Sequence, residues 1–299
     1  MEKLFLETSC LGRSFYFSRM KNIVSIALLA FLFLSCNSNN KKENEKELTD
    51  SKIILKIEDL SISERDIDYK VAIEKVYGNN SINRLQACVM LTNEMIEYAL
   101  LRKQNLDILA YELQELKNHT FASSKAPELL TQIQNIFEED TNSLNQLFFR
   151  PIVVTQKLNQ YFYLKKEFHV LPIGAIQKAF QQAQTGSSYE LIASDSLLQY
   201  VVDTITAEQG IFQIANSLEL NQIYPEIIES DYSFSILKVI NKHAEKITIE
   251  TVSVAKNDLQ KWMQTEINNL NMPIYDEMLF KDLKIQYPNL NWVKNLINN

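Results

Sequence analysis

Ser233-Phe234-Ser235-Ile236-Leu237-Lys238-Val239-Ile240 alternates polar and apolar side chains and then runs apolar, the period-2 signature of a strand. The segments before it follow a different period. Leu85, Cys88, Val89, Met95, Ile96, Ala99 and Leu100 recur at helical spacing, with Asn93, Glu94 and Glu97 on the other side. Ser61–Val76 predicts a helix capped by Ser61 or Ser63, since Ser63-Glu64-Arg65-Asp66 carries the Ser-x-x-acid pattern. Tyr111–Thr120 and Pro127–Phe137 predict further short helices. Pro151 suits the first turn of a longer one reaching about Lys166, with Val154, Leu158, Tyr161 and Phe162 inward. Ile173–Gln184 is amphipathic and stops at Thr185-Gly186, where glycine is the expected residue after a helix, and Tyr189–Ala193 follows as a short helix. Strand character appears again at Lys52–Leu60 and in the β-branched run Ile247–Val254, which leads into a helix from about Lys256 to Leu270 carrying Leu259 and Trp262. The class is therefore α+β, with helix predominant.

Composition narrows the chemistry. The five glycines (Gly12, Gly78, Gly174, Gly186, Gly210) are never closer than 12 residues, so the clustered glycines of a dinucleotide fingerprint or a phosphate loop are missing. No CxxC or HExxH spacing occurs, which excludes zinc ribbons and zincins. The carboxylate run Glu138-Glu139-Asp140 reads as a solvated loop, so no metal is expected. Asp203, Thr204 and Ser196 form no nucleophile–base set with a histidine. A net charge of −7 argues against nucleic acid as a partner, and no cofactor is implied.

The N-terminal segment reads as a targeting signal. Ile23–Leu34 is apolar apart from Ser25, follows Arg19 and Lys21, and is too short for a span of about 20 residues. Phe33-Leu34-Ser35-Cys36 resembles the lipobox of bacterial lipoproteins, which implies lipidation at Cys36 and a membrane reached through that lipid. Met20-Lys21 is a natural start, so residues 1–19 are expected to be an extension. Asn37–Asp50 is polar except for Leu48 and should be a disordered tether reaching about 20 Å. Residues 1–36 hold four basic and two acidic side chains of the 30 and 37 in the chain, so the remainder carries 26 against 35, or −9. Cys88 is then the one remaining thiol, expected in the core.

Two motif groups resemble the parvulin-type periplasmic foldases, the SurA/PrsA/PpiD group. Leu91-Thr92-Asn93-Glu94-Met95-Ile96-Glu97-Tyr98-Ala99-Leu100-Leu101, followed by Asn105-Leu106-Asp107-Ile108, is similar to that family's N-terminal chaperone domain. His169-Val170-Leu171, then Gly186-Ser187-Ser188-Tyr189-Glu190-Leu191-Ile192-Ala193, then Asp231–Val239 after Pro225, follow the order of a parvulin domain: a histidine-bearing strand, a helix end, a closing strand. The resemblance implies a disordered tether at 37–51, a helical chaperone domain at 52–167, an inserted parvulin-like α/β domain at 168–245, and a 246–299 strand and helix packed back on the chaperone part.

The same resemblance implies a degenerate site. His169 is the candidate first histidine, Ser235 stands where the second belongs, and Asp195 is the acidic partner. The family's central Gly-Gly-x-Leu-Gly segment is reduced to Glu208-Gln209-Gly210-Ile211-Phe212. Rotamase chemistry must lower a barrier of about 18–20 kcal/mol with a preorganised pocket, so a missing imidazole is a serious loss. The implied function is a membrane-anchored extracytoplasmic folding factor holding unfolded or exported polypeptides; the aromatic cluster Phe148, Phe149, Tyr161 and Phe162 reads first as domain core and, in that function, as an apolar client groove. The alternatives are an active prolyl isomerase using His169, and a structural lipoprotein subunit of an outer-membrane assembly.

Overall fold

Ser63 ends a hairpin and starts a helix in one step. The computed structural model describes residues 51–123, 127–138, 140–243 and 245–298. In it β1 (Ile53–Ile57) pairs antiparallel with β2 (Leu60–Ser63). The Ser63 hydroxyl then accepts the Asp66 N–H while the Asp66 carboxylate accepts the Ser63 N–H, a complete capping box on α1 (Glu64–Val76). Asn83 and Gln86 repeat the device on α2 (Arg84–Lys103). There follow α3 (Ala110–Ser123), α4 (Pro127–Phe137), a helical lead-in with a π-turn over Asn145–Phe149, and α5 (Arg150–Leu164) with Pro151 in its first turn.

The forty residues from Leu259 to Asn298 complete this helical layer. The segment after α9 (Leu259–Glu266) runs along β1: Lys56 N–H donates to the Pro273 carbonyl at 3.0 Å, and Tyr275 N–H to the Ile54 carbonyl at 2.8 Å. Met263, Leu283 of α10 (Glu277–Gln286) and Trp292 of α11 (Asn291–Asn298) share one apolar core with Leu55, Leu100, Phe137 and Phe162. The Trp292 indole N–H finds Asn93 Oδ1 at 3.0 Å, which satisfies a buried donor.

Between these parts lies a sheet with its own two cores. A 3-10 turn (Lys166–His169) enters α6 (Val170–Gln184), which ends at Gly186 in the left-handed region (φ 91°). Then come α7 (Tyr189–Ile192), β3 (Gln199–Thr206), α8 (Phe212–Ser217), β4 (Ile228–Glu229), β5 (Ser233–His243) and β6 (Lys246–Ala255). The strand order is β3-β6-β5-β4, all antiparallel. Pleat alternation splits β5: Phe234 and Ile236 pack under α6 with Ile176, Ala179 and Val252, whereas Leu237 and Val239 pack under α8 with Ile205, Ala215 and Ile249.

Two expectations change here. His169-Val170-Leu171, expected as an opening strand, is a 3-10 turn running into helix. The strand hydrogen-bonded to β5 on the inner side is β6, so the sheet continues past residue 245 to Ala255. The eight residues of β3 are a strand that the sequence pattern did not announce.

Candidate functional site

His169 is 1% exposed at the junction of α5, α6 and the loop after β6. A backbone N–H can only donate, so the Asn257 N–H at 3.1 Å fixes Nδ1 as an acceptor. Nε2 therefore carries the proton and donates to the Phe162 carbonyl at 3.0 Å. Burial pushes the imidazole below its ordinary pKa, and the nearby Lys256 ammonium acts in the same direction. Lys256 itself is buried and bridges the Tyr163 carbonyl (2.9 Å) and Glu229 (2.7 Å). Together these two side chains bind α5 to the loop after β6. With both ring nitrogens committed to backbone, His169 is a structural latch and has no free nitrogen to offer a substrate.

The remaining predicted catalytic residues are not brought to it. Phe234 lies on the His169 side, with ring centroids 6.4 Å apart, so alternation turns Ser235 to the opposite face of the sheet. There its cross-strand neighbours are Ser253 and Ile228. Asp195 is exposed in the turn after α7, where Oδ1 accepts the Leu197 N–H at 3.1 Å. The expected triad of His169, Ser235 and Asp195 is therefore dispersed.

The aromatic client groove is corrected as well. Phe149 (0% exposed) and Phe162 (1%) are core residues, because helical aromatics on the inward stripe complete the packing. Phe148 stands edge-on to Phe149 at 5.0 Å, and Phe162 stacks on Phe168 at 4.9 Å. The Tyr161 hydroxyl donates to Gln104 Oε1. A hollow beside α5, lined by Leu91, Met95, Leu147 and Val154 and not by these aromatics, holds only about 10 Å³. Asp140 caps a helical turn through Ser143 and pairs with Arg65, and among the described residues no acidic, His or Cys group could hold a metal. Cys36 and the tether lie outside the described residues.

A different place combines open surface with hydrogen-bonding capacity. Ala175, Lys178 and Gln182 form one outward row of α6, as residues three and four apart do. With Leu191, Ser194, Asp195 and Leu198 they line a cleft of about 170 Å³. Leu191 is 67% exposed, and Leu197, Val201 and Val202 are also exposed close by in sequence. β3 starts at this cleft and forms one edge of the sheet.

The direction of each β3 backbone group follows from the ladder. Leu237 and Val239 exchange hydrogen bonds with the 221–224 segment, so the even-numbered residues of β5 bond β6, and the odd-numbered ones of β6 bond β3. Tyr200, Val202, Thr204 and Thr206 consequently turn their N–H and C=O groups outward. Thr204 N–H is closed by Asp203 Oδ1 (2.7 Å) and Thr206 N–H by Gln209 Oε1 (2.8 Å), while Leu198 N–H is held by the Asp195 carbonyl (3.0 Å). Among the described residues nothing closes the N–H groups of Tyr200 and Val202. Sequence reading missed this edge; its one signal was the exposed Val201-Val202 pair in a polar surrounding. No protein-family model, no curated protein and no solved structure matches this chain.

Proposed function

We propose that the chain is a lipid-tethered extracytoplasmic protein that holds polypeptides and performs no isomerisation through His169. One observation carries the reading: the exposed apolar side chains Leu191, Leu197 and Val202 lie along the α7–β3 segment, beside a cleft lined by Lys178, Gln182, Ser194 and Asp195. Exposed apolar groups rimmed by polar ones are the surface chemistry of reversible polypeptide capture. The lipobox-like Phe33-Leu34-Ser35-Cys36 and the polar Asn37–Asp50 segment support a tether that keeps this surface close to a membrane. A parvulin scaffold without its catalysis agrees with both ring nitrogens of His169 being bound to backbone.

The test pairs two assays on the full chain. Suppression of aggregation of a chemically unfolded client is expected, together with proline isomerisation of a short peptide no faster than the uncatalysed rate. Isomerase activity that disappears in a folded His169→Ala variant would replace the holding reading with an enzyme. Absence of suppression, with co-purification of one stoichiometric membrane partner, would replace it with a structural subunit.

A further inference from the structure

We propose that the outer edge of β3 accepts one extended polypeptide segment by strand addition at Tyr200 and Val202, the segment then passing Leu198 toward the α6–α7 cleft. The inference rests on the polypeptide-holding reading and specifies its mode. Among the described residues the outward N–H groups of this edge are unclosed only there: those of its neighbours Leu198, Thr204 and Thr206 are closed by Asp195, Asp203 and Gln209. Native edges are commonly blunted against pairing, and this strand is blunted on both sides of a short gap. A gap of this kind selects a short extended backbone, because only a strand meets alternating donors and acceptors at that spacing. The side chains of Tyr200 and Val202 share the Leu198 face, and Leu198 is part of the cleft lining. An added strand therefore meets apolar surface first and the polar groups of the cleft beyond it.

Charge identifies the occupant further. Glu190, Asp195, Asp203 and Glu208 are exposed around this edge, whereas Lys238 is occupied by Glu250 at 3.1 Å, so Lys178 and Lys246, the latter across from Thr206, oppose four carboxylates. The favoured segment is neutral or basic with alternating apolar side chains. A second copy of this chain is disfavoured, since a two-fold axis through Val201 would set these carboxylates against their own images on chains of net charge −7.

A fluorescent hexapeptide alternating valine and lysine is the probe, titrated into the full chain. Two N-methylated versions block one or the other alternate set of amides and leave the protein untouched. The expected result is that one methylated set weakens binding about tenfold or more while the other does not. Val202→Pro, which removes an outward N–H, should weaken it about as much without changing the melting temperature. Equal binding of both methylated peptides overturns strand addition; if aggregation suppression survives, holding by another surface remains. A concentration-dependent dimer abolished by Val202→Pro, with no peptide binding, overturns the proposal in favour of a second copy. Loss of both peptide binding and aggregation suppression in the wild-type chain removes the holding reading itself.

Discussion

Replacing His169 tests the junction most directly. His169→Ala strips the Phe162 carbonyl of its donor and the Asn257 N–H of its acceptor, and it removes a ring packed edge-on to Phe162 at 5.2 Å. A buried carbonyl left unmade costs about 1–3 kcal/mol, while the Asn257 amide, on an exposed residue, recovers part of its loss through water. Adding the lost packing, the expected destabilisation is about 2–4 kcal/mol in urea titration. His169→Gln can return an amide N–H to the Phe162 carbonyl and should recover part of that loss. The pH dependence has a fixed sign. The native imidazole has a depressed pKa because burial excludes the charged form, whereas the unfolded one titrates near pH 6.5. The unfolded state then binds the extra proton below about pH 6.5, so the stability is present above that pH and is lost as pH falls through it. This loss on acidification disappears in His169→Gln. His169→Ala costing under about 1 kcal/mol, or a pH profile identical in His169→Gln, would refute the latch.

Three further outcomes follow from single side chains. Lys70 bridges Glu94 at 2.8 Å and Glu74 at 3.4 Å, with Lys70 and Glu94 nearly buried, so Lys70→Met should cost about 3–5 kcal/mol by stranding carboxylates, and adding Glu94→Leu should restore a measurable part in the same urea titration. The Tyr189 hydroxyl is buried without a hydrogen-bond partner among the described residues, and burial raises its pKa; Tyr189→Phe should leave stability unchanged or raise it by up to about 1 kcal/mol, and a loss beyond about 1 kcal/mol would reveal a partner. Burial pushes the Cys88 thiol up to about 11, so alkylation of the peptide carrying Cys88 at about pH 8 should require denaturant, and rapid native labelling would contradict its packing.

The contrast between what the sequence announced and what it hid is one of range. Ser63 with Asp66, Pro151 near a helix start, and Gly186 after a helix end act on backbone groups within a few residues, so their consequences are written locally. The β5 strand was legible because one face of it is buried against α6 and the other against α8. β3 was not, because Ile205 is its one buried residue and pairing with β6, some forty residues later, is what makes it a strand. His169 was visible as a rare residue type, yet its role depends on Asn257, 88 residues away. The open edge at Tyr200 and Val202 is further from reach still, since ladder parity is set by the register of three strands at once.

The same register bears on the chemistry of the sheet. The motif order implied a histidine strand before the helices, but the inner neighbour of β5 is β6, which comes after it and sets Ser253 beside Ser235. Two serine hydroxyls donate and accept hydrogen bonds but do not change charge near neutral pH, so they cannot replace an imidazole pair in polarising a twisted amide. His169 is on the other face and engaged twice by backbone, and His243 stands at the far end of β5, opposite Lys246. The serine pair offers hydrogen bonds without a titrating group, and it lies in the same sheet whose β3 edge leaves backbone donors and acceptors outward at Tyr200 and Val202. The proposed holding of an extended chain rests on that edge and asks no proton transfer of the sheet.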